Sequence, residues 1–374
     1  MTAPRNAVLL ALTLAAAIAL LTAGFVTHAP NRLAPGAPVM LWQAASALRT
    51  AFITALCAAL AAAAFLPPAR RHSAAIIIAA ALLLLLLIDT GGAAARAFAA
   101  HNPPAARASL GAAFWIAAPA ALLAIVDALQ RSGAERGLRF AVALAIATAA
   151  AALVASGRLD ALSLAREYAV RREAFASELL RHCVLVLGAV VPALLIGVPL
   201  GILAARRPRT RGSLFATLNM IETVPSVALF GLLIAPLAAI GFSGIGPAPA
   251  IIALTLYALL PVARNTEAGI LSTDPAAVEA ATGMGMTAAQ IFWRVELPLG
   301  LPVFVAGLRI VLVQTIGLAA VAALIGAGGL GTFIFQGIGQ YAIDLVLLGA
   351  LPTIALALAA DFTLSMMSPR TEKP

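Results

Sequence analysis

Long apolar runs follow one another along the chain, parted by short breaks in which arginine, proline and glycine collect. Windows of about 19 residues, enough for a helix to cross a bilayer, place spans at 7–27, 44–66, 74–91, 108–127, 138–156, 183–205, 213–240, 249–264, 302–325 and 342–364. Nothing shows the period-two alternation over about ten residues that barrel strands carry, and open sheet edges cannot face lipid. The predicted class is therefore an all-α integral membrane protein with about ten transmembrane helices. The first apolar run, Ala7 to Val26, exceeds the roughly 7–15 residues of a signal-peptide core and reads as a retained helix.

One polar passage divides the apolar pattern. Arg158 to Arg181 includes REYAVRREAFASELLR, with Glu167, Glu173 and Glu178 partly offsetting its arginines, and has the character of an amphipathic helix at the outer surface. It is either a solvated connector or a contact surface for another protein. It sets three regions: a membrane region of about five helices at 1–157, a connector at 158–182, and a second membrane region at 183–374. The second region carries Pro, Gly, Asn, Glu and Gln inside its helices, so function is expected there.

Composition agrees with the pattern, since 63% of the residues are hydrophobic and 10% charged, too little charge to cover a soluble chain of 374 residues. The net charge of +9 would suggest nucleic acid if it were clustered, but the basic residues flank spans. With the amino terminus inside, the inner loops hold Arg5, Arg70, Arg71, Arg131, Arg136, Arg139, Arg206, Arg207, Arg209, Arg211, Arg264, Arg294, Arg370 and Lys373. The short outer loops hold Arg32, Arg96 and Arg107, and this asymmetry places both termini in the cytoplasm. Cys57 and Cys183 have no metal-ligand spacing and read as packing residues.

The longest polar interruption of the second region is EAATGMGMTAAQIFWRVELP, residues 279–298. Asp274 can cap a short helix that begins at Pro275, where no amide donor is needed. Gly283 and Gly285 weaken or break it. Thr287 and Gln290 then form a capping box for a second short helix carrying Ile291, Phe292 and Trp293, with Pro298 ending it before the next span. Met284, Met286, Ile291 and Phe292 supply a short exposed apolar set on the cytoplasmic face.

Glu279-Ala280-Ala281, then Gly285, then Val295-Glu296-Leu297-Pro298 resembles the EAA loop of the permease subunits of binding-protein-dependent ABC importers, EAAxxxG followed by IxLP, with Val295 in place of Ile. The resemblance implies the fold of small type I (MetI-like) permeases in the second region. It implies that 274–298 is a coupling loop that docks on a separate ATP-hydrolysing subunit, through Asp274, Glu279, Ala280, Ala281, Gly283, Gly285, Thr287, Ile291, Phe292, Leu297 and Pro298. ETVPSVALFG (222–231), YALLPVARNTEAGI (257–270), DPAAVEAATGMGMT (274–287) and AALIGAGGLGTFIFQGI (322–338) resemble the branch that imports glycine betaine, choline, carnitine and related osmoprotectants. The preceding spans are similar to an osmoprotectant permease subtype with a long membrane preface. The implied partners are two ATPase copies, an extracytoplasmic solute-binding protein and a second permease, either another copy or a sister subunit, in a bacterial inner membrane. ATP and Mg would sit on the ATPase, with no cofactor on this chain. Importers of methionine or other small solutes share the fold.

Other features test that reading. Gly326-Ala-Gly328-Gly329-Leu-Gly331 fits GxGxxG but lacks the strand, helix and distal acid of a dinucleotide site, and reads as a broken helix end beside the pathway. A Walker A loop is ruled out because the sole lysine is Lys373. His28, His72, His101 and His182 fall at loop edges, where interfacial or solvated roles are expected. Glu222 and Arg309 lie at similar depth and either form an interhelical pair near the lower end of the pathway or pack separately and snorkel to the interface, whereas Asp89, Asp127 and Asp361 fall near span ends within reach of headgroups. Pro225 and Pro261 can kink their spans, and with Ser226 and Asn265 they complete the candidate gate. An ion-coupled secondary transporter would place polar residues at midplane in two inverted halves, and the halves here are unlike each other. A membrane enzyme would cluster His, Asp or Ser in one layer, which the sequence does not do.

Overall fold

The computed structural model describes residues 4–31, 34–67, 70–241 and 243–367. Arg32, Arg370 and Lys373, used above to assign sidedness, lie outside the described residues, as do the side chains of Arg70 and Arg71. The chain divides into two units, Met1–Val170 and Arg171–Pro374.

In the first unit, α1 (Ala7–Thr22) stops short of the expected span because the chain turns into a strand, β1 (Val26–Ala29). β2 (Ala37–Val39), α2 (Leu41–Ala44), α3 (Ala47–Ala63), α4 (Arg70–Ala100), β3 (Arg107–Leu110), α5 (Ala112–Arg131), α6 (Arg136–Ala155) and α7 (Ser163–Val170) follow. The strands form an antiparallel sheet in the order β2-β1-β3. Each is too short to stand out in a window scaled to a bilayer, so the sequence pattern did not reveal the sheet. It closes where Gly24 and Gly111 touch, a Cβ on Gly111 falling 2.2 Å from the Gly24 carbonyl oxygen. Leu9, Phe25, Ile53, Leu60, Leu83, Leu87 and Phe114 form the core of the unit, while α6 has no buried residue.

Two of the aspartates expected near span ends, Asp89 and Asp127, also make contacts within the unit. Asp89 pairs with Arg49 at 3.2 Å and Arg158 at 3.0 Å, tying α3 and the segment after α6 to α4. Asp127 accepts from Asn6 Nδ2 at 2.6 Å and pairs with Arg131, one turn along its own helix, at 2.9 Å. His28 in β1 is stacked on Phe98 with ring centroids 3.9 Å apart, and burial pushes its pKa below the ordinary histidine value.

The second unit opens with α8 (Arg172–Arg206), so the expected separate connector at 158–182 is split: its last part is the first three turns of a 35-residue helix. α9 (Pro208–Thr223) and α10 (Ser226–Ala239) occupy the expected span 213–240 but meet at a bend of 100°. Pro225, expected to kink this span, is the N-cap of α10 and lies at the break, and the bend is held by the Tyr257 hydroxyl donating to the Val224 carbonyl. α11 (Pro247–Leu271), α12 (Pro275–Gly283), α13 (Ala288–Ile291), α14 (Leu297–Val321), α15 (Gly331–Gly339) and α16 (Ile343–Met367) complete it. α11 is the central helix, packed between α8 and α14. Small residues bring these helices close: a Cβ on Gly201 would lie 2.5 Å from the Ala263 oxygen, and one on Gly300 2.3 Å from the Gly269 oxygen.

Among the described residues seven helices are long and apolar enough to cross a membrane, or up to eight if the bent pair is one span. Two further apolar helices, α1 and α3, have 16 and 17 residues. All ten expected segments are thus helical over most of their length, without ten being established as the number of spans.

Candidate functional site

The polar passage of the second unit folds by local rules. Asp274 Oδ1 accepts the Ala276 N–H at 2.9 Å and Pro275 takes the first position of α12. α12 ends at Gly283, and Gly285 turns the chain with φ +78°, a left-handed conformation that glycine adopts without a Cβ clash. Thr287 then caps α13 reciprocally, its hydroxyl accepting from Gln290 N at 3.3 Å while Gln290 Oε1 accepts from Thr287 N at 2.8 Å.

Beyond the cap, the expectation that Pro298 ends this second helix is overturned. α13 runs through a π-helical turn, Phe292–Glu296, directly into α14, with Leu297 N–H donating to the Phe292 carbonyl. Pro298 sits in the first turn of α14, and its ring would crowd the carbonyl of Arg294 in a regular α-helix, so the backbone widens just ahead of it.

The apolar set at 284–292 also differs from expectation. Glu279 and Ala280 are exposed and Ala281 is buried, as one face of a short helix lying against the unit requires. Met284 is 70% exposed, but Ile291 is buried and Phe292 half-buried. Trp293, 66% exposed and edge-on to Phe292 at 5.3 Å, takes their place as the large apolar side chain that α13 and the π-turn present outward.

Behind the loop lie groups that sequence reasoning missed. Glu296, last residue of the π-turn and 4% exposed, accepts both arms of the Arg206 guanidinium, Nη1 to Oε1 at 2.8 Å and Nη2 to Oε2. Glu267 of α11, equally buried, pairs with Arg211 of α9, and Arg264 lies over the Phe215 ring at 4.5 Å. The signal was two glutamates at the ends of apolar runs facing an arginine-rich break at 206–211. Beside Glu296 a cavity of about 300 Å³, walled by α8, α11, the π-turn and α14, is almost wholly apolar.

The candidate gate is only partly brought together. Arg309 does not pair with Glu222; its Nε and Nη2 donate to Asp361 Oδ1 and Oδ2, each at 2.9 Å. α14 and α16 pack on each other, which brings Asp361 to Arg309, whereas Glu222 sits in the last turn of α9 before the bend. Pro261 lies within a continuous α11; Asn265, one turn on, donates to its carbonyl at 2.7 Å and presses on Gly307, where a Cβ would lie 2.0 Å from Asn265 Cγ. Ser226 opens α10.

Gly326, Gly328 and Gly329 all have positive φ, and Gly331 abuts the Ala320 carbonyl. This loop is held by the start of α8, Glu178 accepting the Gly329 N–H. His182, expected at a solvated edge, is fully buried there, its Nε2 3.1 Å from the Ile316 carbonyl oxygen.

Residues 4–165 match the family model described as ABC transporter permease YehY, N-terminal domain, and residues 197–373 match that of the binding-protein-dependent transport system inner membrane component. A carnitine transport permease protein, OpuCB of Listeria monocytogenes, is 41% identical over 51% of this chain and 84% of that one. The osmoprotectant import permease protein OsmW of Salmonella typhimurium is 43% identical over 50% and 87%. Among solved structures, a MetNI methionine ABC transporter in inward-facing form aligns at 26% identity and TM-score 0.46, covering 52% of this chain and 96% of that one.

Proposed function

Because this chain belongs to the family of binding-protein-dependent transport system inner membrane components, we propose that it is the membrane-spanning permease of an ATP-driven importer whose residues 274–298 dock on the ATPase. Membership makes an ATPase and a solute-binding protein its partners in general. The finer reading is two ATPases carrying ATP and Mg, one external binding protein, and a second permease, since each chain supplies one docking loop. This chain then moves solute and does no chemistry on it. The arginines at 206–211, 264 and 294 collect at the loop end of the second unit, which supports a cytoplasmic position for the loop in an inner membrane.

The observation that carries the proposal is the loop itself: a capped helix with Glu279 exposed, a left-handed turn at Gly285, and a second capped helix fused to a span. The solute proposed is a quaternary ammonium osmoprotectant such as glycine betaine, in line with the relatives named for carnitine and osmoprotectant transport. Proteoliposomes holding the chain with its ATPase and binding protein should take up labelled betaine, carnitine or choline when ATP is supplied. Uptake of an amino acid alone would overturn the solute, and failure of the ATPase to copurify would overturn the permease reading.

Gly285→Leu is expected to leave the chain folded, because no atom lies within 4 Å of the added Cβ. Leucine nevertheless pays about 1–2 kcal/mol for the left-handed backbone and projects into the docking surface. Uptake per ATP hydrolysed should fall several-fold, and unchanged uptake in the same proteoliposomes would count against the loop assignment.

A further inference from the structure

We infer that the Arg206–Glu296 ion pair is the mechanical link through which the docking loop moves α8, and that the neighbouring apolar cavity gives the π-turn room to move. The inference rests on reading 274–298 as the ATPase-docking loop, and it assigns a positioning role to two residues outside that loop's recognised pattern. Glu296 occupies the unspecified position of the IxLP element.

A carboxylate left 4% exposed against apolar walls needs a partner that stays with it. Its partner is the last residue of α8, and the two-armed geometry fixes the angle between guanidinium and carboxylate as well as their separation. A displacement of the π-turn therefore carries Arg206 with it. The neighbouring Arg211–Glu267 pair joins α9 to α11 without touching the loop, so it serves as an internal comparison.

Two further features give that displacement somewhere to start and somewhere to go. The π-turn is a widened, less regular piece of helix flanked by a cavity of about 300 Å³, lined by Leu194, Val198, Gly269, Phe292, Gly300 and Phe304 among others. Close-packed interiors resist such a shift, whereas here the turn borders an open apolar groove instead of packed side chains. At the other end, α8 holds the Gly326–Gly331 loop through Glu178, which lies about 42 Å from Arg206 by helical rise. His182, Leu185, Ala189, Ala193, Gly197, Gly201 and Ala204 are buried at helical spacing between these ends. α8 thus joins the docking loop to the glycine loop along one packed stripe.

The test uses the reconstituted complex with its ATPase and binding protein. Arg206→Glu and Glu296→Arg should each still retain the ATPase and hydrolyse ATP, with uptake per ATP lowered about tenfold, the size of a lost coupling free energy of this kind. The double swap should recover most of that loss, and Arg211→Ala should show no comparable drop in uptake per ATP. Should either reversal fail to fold, the isosteric Glu296→Gln carries the test, with the same loss of uptake per ATP expected. Unchanged uptake per ATP in the single variants, or a swap that recovers nothing, overturns the link. A wild-type chain that fails to retain the ATPase overturns the docking-loop reading itself, a result separable from either.

Discussion

Asp361→Leu is expected to lower the thermal midpoint of the purified protein sharply and to cut the yield of folded material from the membrane. Arg309 lies midway along α14, and both of its arms are taken by the Asp361 carboxylate at 2.9 Å. Without that partner a guanidinium remains charged within an apolar helix, in a setting where unpaired charge is costly. Removing one member of a fully buried pair costs about 3–5 kcal/mol, and with side chains 32% and 42% exposed a discounted figure of about 2–3 kcal/mol applies here. Arg309→Met combined with Asp361→Leu removes both charges and should recover most of the loss. Glu222→Gln leaves the pair intact and should leave the midpoint close to wild type. Equal midpoints for Asp361→Leu and wild type would show that the pair contributes nothing to the fold.

That pair shows where the sequence stops being informative. Arg309 and Glu222 are at similar depth when residues are counted from span ends, but depth along a helix does not specify which way a side chain faces or which helix lies beside it. The Asp274 cap, the turn at Gly285 and the Thr287–Gln290 box were legible because each is settled within a few residues of backbone. The Arg206–Glu296 pair is not, since its members are 90 residues apart and an arginine at the end of a span reads first as a topology charge. For His182 the reason is different: a hydropathy window starts α8 near residue 183, whereas the helix begins at Arg172, and after a largely exposed first stretch His182 is its first buried position. The bend between α9 and α10 is invisible in averaged hydropathy, although Pro225 marks it, because the bond that holds it comes from Tyr257 of α11.

Gly300→Ala and Gly317→Ala should have opposite signs, although each adds one methyl group to the same helix. At Gly300 the new Cβ would lie 2.3 Å from the Gly269 carbonyl oxygen, a backbone atom that cannot rotate away. α11 and α14 would have to separate, and the next contact along the crossing, Asn265 against Gly307, has no slack to absorb the shift. Overpacking of this kind costs about 1–3 kcal/mol or more. Glu296 lies one turn before Gly300, so the same displacement would pull on its bond to Arg206 and lower uptake as well as stability. At Gly317 no atom lies within 4 Å of the added Cβ, and the helical backbone suits alanine, which should gain about 0.5–1 kcal/mol by restricting the unfolded chain. Thermal midpoints of the two purified variants, measured beside wild type, decide it. If Gly300→Ala matches wild type, the crossing at Gly269 does not position α14, and the loop's connection to the helices must run through another contact.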